Sequence, residues 1–377
     1  MSKYCPRIHH GLMLSDIEKN SLSYSVCCWA DQLIQTQDKI DFFHPDLVDL
    51  RAKNQKQLLP ESFCAKCVVQ EDTGKKSMRL GYAETHGEET YHTDIQYLDI
   101  DIDYTCNLAC VTCGPKYSTT WRNELGIKGI GVRPNIGDFI KTKLQKLDLS
   151  SLKELRIWGG EPFLTLTHKQ ILQHLVDSTD VSKIKLMYNT NGTQRIDQST
   201  KELIEKFEFA RISFSIDGTG DQFGYLRYPA KWTEVQENLF WWQQNLPHNS
   251  MLSLTVTASI LSVLYLDQVY DWCKQNFSKS VFGDDIEIYT HQAFGIYGLE
   301  TMPDSMIAYF KSKTNYCQPW LQELSILGQQ QHNLEKVISE LSKNDHRRNS
   351  NLATVMPEVA EFIQYQKGYQ QPRASSP

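Results

Sequence analysis

Cys106, Cys110 and Cys113 stand in the run Cys-Asn-Leu-Ala-Cys-Val-Thr-Cys, a spacing that lets one short loop wrap a metal cluster with three thiolates. No His or Cys adjoins them to complete a tetrahedron, so a zinc ion is poorly served. A cubane held by three protein thiolates keeps one iron open to a non-protein ligand, the feature that separates a catalytic metal site from a closed structural one. A second set comprises Cys5, Cys27, Cys28, Cys64 and Cys67. Four thiolates from this set suffice for a complete Fe–S cubane or a structural zinc, and tetrahedral sulfur serves both metals. Cys273 and Cys317 are isolated and read as buried small hydrophobes. His9, His10, His86 and His92 lie around the second set, but isolated histidines more often pack than ligate.

These residues need elements to position them. Apolar and β-branched runs at 97–104, 154–158, 185–188, 211–216, 252–259 and 286–290 alternate with stretches of helical character, the signature of βα units and a parallel sheet. The three-cysteine loop then follows the first of these strands at its carboxyl end, where βα-barrel sites are built. Trp158-Gly159-Gly160-Glu161-Pro162 ends the second strand; its glycines admit close backbone approach and its Glu projects a carboxylate. Asn189-Thr190-Asn191-Gly192 and Ser215-Ile216-Asp217-Gly218 end the third and fourth. Each taken alone reads equally well as an ordinary turn. Asp99, Asp101 and Asp103 alternate with Leu98, Ile100 and Ile102, giving the first strand one polar and one apolar face.

The chain has 377 residues, 40% hydrophobic and 22% charged, enough to bury a full α/β core with material left for a smaller unit. A formal net charge of −6 supplies no global field toward nucleic acid or an anionic membrane, and neither partner is expected. The opening residues lack the apolar core of a signal peptide, and no run of 18 apolar residues occurs. A cytoplasmic location, where thiols stay reduced and serve as metal ligands, is the expectation.

The C-x3-C-x2-C loop after a first strand resembles the signature of the radical S-adenosylmethionine (SAM) enzyme superfamily. The resemblance implies a [4Fe–4S] cluster on Cys106, Cys110 and Cys113, with SAM chelating the open iron. It implies reductive cleavage of SAM to methionine and a 5′-deoxyadenosyl radical that abstracts a substrate hydrogen, with flavodoxin or ferredoxin as electron donor. Gly159, Gly160 and Glu161 match the motif assigned to the methionyl amino group; Asn191, Ser215 and Asp217 match positions at later strand ends. Arg227, in Tyr225-Leu226-Arg227-Tyr228-Pro229, matches an arginine that pairs with the SAM carboxylate; a surface arginine is the competing reading. Thr112 departs from the larger residue common before the last cysteine. The first 94 residues resemble a twitch-type auxiliary-cluster module, through Cys5-Pro6 with His9, the Cys27-Cys28 pair, and Cys64-x2-Cys67 followed by Glu71, Gly74, Ser77 and Arg79. This implies a second [4Fe–4S] cluster on Cys5, Cys27, Cys64 and Cys67, with Cys28 as alternative to Cys27. Leu22 and Ser23 stand where similar proteins carry a glycine.

The expected fold is therefore α/β: a partial (β/α)6 TIM-type barrel over 95–300, a Cys-rich module over 1–94 folding around metal rather than around a core of its own, and a helical region over 301–377 with a disordered tail. The substrate class implied is a peptide or a small molecule. The rival is a non-catalytic zinc- or Fe–S-binding interaction or electron-transfer protein.

Overall fold

The computed structural model describes residues 2–18, 21–30, 32–72, 74, 76–86, 91–128, 135–277, 287–293, 295–315 and 334–365. The expectations for Cys317 and for the tail lie outside these residues. Among the described residues, one nine-stranded sheet organises the chain, in the order β3-β2-β1-β4-β5-β6-β7-β8-β9. Its strands are β1 Gly11–Glu18, β2 Ser21–Ser25, β3 Ile34–Thr36, β4 Tyr97–Asp101, β5 Glu154–Ile157, β6 Lys185–Thr190, β7 Phe209–Ser215, β8 Ser250–Ala258 and β9 Ile288–Gln292.

The last six strands pair in parallel in chain order, and helices fill the connections as parallel pairing requires. Among the described residues, four helices precede β4: α1 Pro6–His10, α2 Pro45–Gln55, α3 Glu61–Asp72 and α4 Met78–His86. Then α5 Thr119–Glu124 and α6 Ile136–Thr142 lead to β5, α7 Thr167–Ser178 to β6, and α8 Gln198–Ile204 to β7. The remaining connections hold α9 Gly220–Leu226 and α10 Trp232–Asn245 before β8, and α11 Leu266–Asn276 before β9. Beyond the sheet come α12 Asp304–Lys313 and α13 Leu334–Arg348, the latter with Val337, Ile338 and Leu341 buried on the stripe their spacing implied. No helix among the described residues is long and apolar enough to cross a membrane.

The register explains which face carries the core. Leu98, Leu155, Leu186 and Ala210 lie side by side on successive strands, as do Ile100, Ile157, Tyr188 and Ile212. All are buried, in one cluster with Leu172, Leu239 and Val269 of the connecting helices. The alternate row, Asp99, Arg156, Met187, Arg211 and Met251, shares the opposite face.

Two expectations change. The first parallel strand ends at Asp101, short of 104. There Asp103 turns its carboxylate onto the Thr105 amide (3.0 Å) and the hydroxyls of Thr165 (2.9 Å) and Thr167 (2.6 Å), which takes the chain out of the ladder. The N-terminal segment also has a core. β1 pairs in parallel with β4, Gly11 opposite Tyr97, and β2 and β3 add antiparallel beyond it. Leu12, Leu14, Leu22, Tyr24, Leu47 and Leu50 join the same apolar cluster as the parallel strands. Its apolar residues are split among short strands and helices, so no single run announced them.

Candidate active site

The loop that carries Cys106, Cys110 and Cys113 is held along its whole length. Thr119 Oγ1 accepts from the Cys106 amide (3.1 Å) and donates to its carbonyl (3.0 Å). The Ala109 and Val111 amides donate to the carbonyls of Tyr228 (2.6 Å) and Leu226 (2.8 Å), and Trp121 Nε1 donates to the Cys110 carbonyl (2.9 Å). The thiols are graded in exposure: Cys106 is buried, Cys110 half-buried and Cys113 exposed. Burial, then the Glu161 carboxylate and the Cys113 thiol, pushes Cys106 up to about 11; burial and its two partner thiols push Cys110 to about 12 against the pull of Arg227. The Cys113 thiol is likewise raised, by loss of solvent around its sulfur within an otherwise exposed residue. Three thiols within electrostatic reach of one another resist ionising together. A bound cation would let them ionise, since thiolate ligation and metal charge are coupled.

The Gly-Gly-Glu segment sits directly against this loop. The amides of Gly160 and Glu161 donate to the carbonyls of Asp103 and Thr105, both at 2.9 Å. A Cβ on Gly159 would meet the Asp103 carbonyl oxygen at 2.4 Å, and one on Gly160 the Thr105 oxygen at 2.3 Å. Gly159 also has φ +124°. The glycines thus serve close approach of two backbones, where the sequence reading gave them to a ligand. The Glu161 carboxylate takes Thr190 Oγ1 (2.8 Å) and the Phe163 amide (3.1 Å) on Oε1 and the Asn191 amide (2.6 Å) on Oε2. A carboxylate has about four acceptor directions, so one is left. Burial raises its pKa to about 7 in spite of these donors.

At the next strand ends, Asn191 reaches the loop through Nδ2, 3.0 Å from Asn107 Oδ1 and 3.8 Å from Cys106 Sγ. Ser215 is half-buried at the end of β7. Arg227 is buried, which removes the surface-arginine reading, and its Nη2 lies 2.7 Å from Asp217 Oδ2. Asp217 Oδ1 accepts the Thr257 amide at 2.7 Å. Arg227 Nε is buried without a hydrogen-bond partner, and the guanidinium interacts electrostatically with Cys110 and Cys106. An unpartnered guanidinium N–H beside the cysteine loop fits the carboxylate of a ligand chelating at that loop. The conformation thus brings Cys106, Cys110, Cys113, Glu161, Asn191, Asp217 and Arg227 into one neighbourhood.

In the N-terminal segment, Cys5, Cys27, Cys64 and Cys67 form a second neighbourhood. Cys5 interacts electrostatically with Cys27 and Cys67, and Cys64 with Cys5, Cys27 and Cys67. Burial and these neighbours push Cys5 up to about 12 and raise Cys64 further. Burial also raises Cys67, against donors from the Arg79 amide and the Ser77 hydroxyl that favour its thiolate. Cys28 interacts after burial with Asp99, Cys27 and Arg7, and its Sγ lies 3.9 Å from Met78 Sδ; Cys27 shares Arg7 and Asp99 but also interacts with Cys5, Cys64 and Cys67. Glu71 accepts a two-point bond from Arg79 (2.8 and 2.6 Å), which also donates to the carbonyls of Ser2 (3.0 Å) and Tyr4 (2.8 Å). These bonds staple the helix bearing Cys64 and Cys67 to the segment before Cys5. His9 stacks on Tyr4, pairs with Asn54 Oδ1 (3.2 Å) and is lowered to about 4 by burial; His10 pairs with Asp94 (2.6 Å). Both are packed groups. Among the described residues, no three His, Cys, Asp or Glu side chains converge on a single-ion position.

Sequence reasoning missed Arg7, which forms a buried ion pair with Asp99 and interacts with Cys27 and Cys28. It follows Cys5 by two residues, and only the unforeseen pairing of β1 with β4 brings it to Asp99.

No family model matches the chain. It is 25% identical over 131 residues to a GTP 3′,8-cyclase of Pelotomaculum thermopropionicum, a match covering 34% of this chain and 37% of that protein. Among solved structures, anSMEcpe with bound AdoMet overlaps 57% of each chain at 16% identity and a TM-score of 0.38. Streptococcus suis SuiB bound to precursor peptide SuiA overlaps 95% of this chain and 75% of that one at 15% identity and a TM-score of 0.37. At these identities and TM-scores the functional reading rests on the residues of the site.

Proposed function

We propose that this protein is a radical SAM enzyme, with a [4Fe–4S] cluster on Cys106, Cys110 and Cys113 and SAM held beside it. The observation that carries the reading is the buried, unpartnered Nε of Arg227 next to a three-thiol loop on the strand-end side of a parallel sheet. The similarity to a GTP 3′,8-cyclase, an enzyme of that superfamily, supports it. When bound, the cluster would supply the electron that cleaves SAM to methionine and a 5′-deoxyadenosyl radical, which takes a hydrogen atom from the substrate.

The chain's own residues provide the setting for that chemistry. Arg227, oriented by Asp217, offers Nε to the SAM carboxylate. Gly159 and Gly160 let the segment after β5 close onto the cysteine loop, and Glu161 fixes the Asn191 backbone so that its side chain lies over Cys106. Ser215 and Asn191 remain the polar groups for the rest of SAM. The six parallel strands form a partial barrel around this mouth. Electrostatic contact between Arg156 on β5 and His291 on β9, four strands apart, supports such a curl. Cys5, Cys27, Cys64 and Cys67 hold a second [4Fe–4S] cluster, with Cys27 rather than Cys28 as the ligand because Cys27 is the one that meets the other three thiols. The substrate is a peptide or a small molecule, and a flavodoxin or ferredoxin delivers electrons.

The test is iron and sulfide content after anaerobic reconstitution, with 5′-deoxyadenosine followed under dithionite and SAM. Formation of deoxyadenosine by the parent and its loss in Cys106→Ala is the expected result. Deoxyadenosine at parental rates from Cys106→Ala would overturn the site.

A further inference from the structure

Helix α13, beyond the sheet, ends in a residue that reaches the cysteine loop. Arg348 donates from Nη2 to the carbonyl of Ala109, the residue before Cys110, at 2.8 Å. Its Nε and Nη2 also hold the two oxygens of Glu124 on α5, at 2.9 and 3.1 Å. The guanidinium carbon lies 4.5 Å from the ring centroid of Trp121 and 4.6 Å from that of Tyr228. Its side chain is only 4% exposed. Both rings belong to residues that hold the same loop: Trp121 Nε1 donates to the Cys110 carbonyl, and the Tyr228 carbonyl accepts the Ala109 amide.

We propose that Arg348 is a positioning residue for the metal-binding loop, so that α13 as well as the parallel strands fixes Cys110 relative to Cys106. A guanidinium suits the task because its planar fork satisfies a carboxylate and a carbonyl at once while its charge lies close to two aromatic rings. An ammonium would serve one of these directions at a time. Removing the fork frees the Ala109 carbonyl, strips Glu124 of its two-point partner and loosens the indole that anchors Cys110. The functional meaning of this positioning rests on the radical SAM reading; the positioning itself is a property of the metal-free chain.

The test uses the full-length chain without metal, under reducing conditions at one pH, with alkylation of each cysteine by iodoacetamide resolved by peptide mass spectrometry. Arg348→Gln is expected to speed alkylation of Cys110 about tenfold, the factor carried by one charge-assisted hydrogen bond. Cys273, fully buried in α11, should keep its parental rate. A Cys110 rate within about twofold of the parent's, well under that factor, overturns the proposal. If Cys273 is also exposed, the variant has unfolded and the decision passes to Arg348→Lys, which keeps stem and charge but loses the fork. Faster alkylation of Cys110 at unchanged Cys273 then supports the proposal, and a parental Cys110 rate overturns it. Reconstituted parent that forms no deoxyadenosine would sink the radical SAM reading while leaving the alkylation result standing, so the two failures are separable.

Discussion

Asp217→Asn tests the logic of the site most directly, because Asp217 and Arg227 form an ion pair with side chains only 5% and 10% exposed. Asn is nearly isosteric and keeps an acceptor for the Thr257 amide, so the ladder around β8 need not change. What is lost is the charge that compensates a buried guanidinium whose Nε already lacks a partner. Breaking such a pair from one side costs about 3–5 kcal/mol, whereas an exposed pair is worth at most about 1 kcal/mol. The retained hydrogen bond argues for the lower end, about 3 kcal/mol. Guanidinium unfolding of the metal-free full chain, followed by tryptophan fluorescence, measures it without metal release in the transition. Arg227→Met in the Asp217→Asn background should recover part of the loss, because no uncompensated charge is then left buried. SAM binding separates the two residues: Asp217→Asn keeps measurable affinity because the guanidinium remains, and Arg227→Met loses it. An Asp217→Asn cost below about 1 kcal/mol, the range of exposed pairs, or a double variant no more stable than Asp217→Asn, would refute the reasoning.

Gly160→Ala should destabilise by about 1–3 kcal/mol through overpacking against the Thr105 carbonyl and lower iron retention on the neighbouring loop, as read by the unfolding midpoint and chelator-accessible iron. Glu161 sets a pH dependence of unusual sign. Its folded pKa, raised by burial to about 7 from 4.5, means that the unfolded chain releases the proton first. Its contribution is whole below pH 4.5 and declines as pH rises to about 7, by about 3 kcal/mol in total. The stability difference between parent and Glu161→Gln should therefore shift in the variant's favour across that window, and a flat difference would remove the argument. Cys27→Ser should lose the iron of the N-terminal set and Cys28→Ser retain it, measured by iron per chain in a Cys106→Ala background; the opposite pattern would exchange the two cysteines. Cys64→Ala should still cleave SAM but stop substrate turnover.

The parallel strands were legible because each is a short apolar run bounded by turn residues, and their core faces follow from alternation alone. Their ends were less so. The stop at Asp101 depends on Thr165 and Thr167, more than 60 residues away, accepting Asp103 as their partner. The spacing of Cys106, Cys110 and Cys113 announced a loop, but the bonds that hold its shape come from residues 119, 121, 226, 228 and 348, whose types carry no local signal. The three-stranded extension at β1–β3 was not visible, because a cysteine-punctuated sequence with scattered hydrophobics looks core-poor. Its burial comes from pairing with β4, a non-local event.

That pairing changes how the two cysteine sets relate. Were the N-terminal segment a separate module, its thiols and the loop of Cys106 could shift independently. Instead Gly11–Ser15 run in register beside Tyr97–Asp101, and Arg7 pairs with Asp99 on the strand that leads into Cys106. Arg7 interacts at the same time with Cys27 and Cys28, so one guanidinium stands between the N-terminal thiols and β4. A buried pair of this kind is costly to break from either side, which ties both neighbourhoods to one strand, with Cys106 seven positions beyond Asp99. Loss of the Arg7 side chain should therefore disturb both sets together, whereas loss of Cys64 removes a thiol without touching the strand.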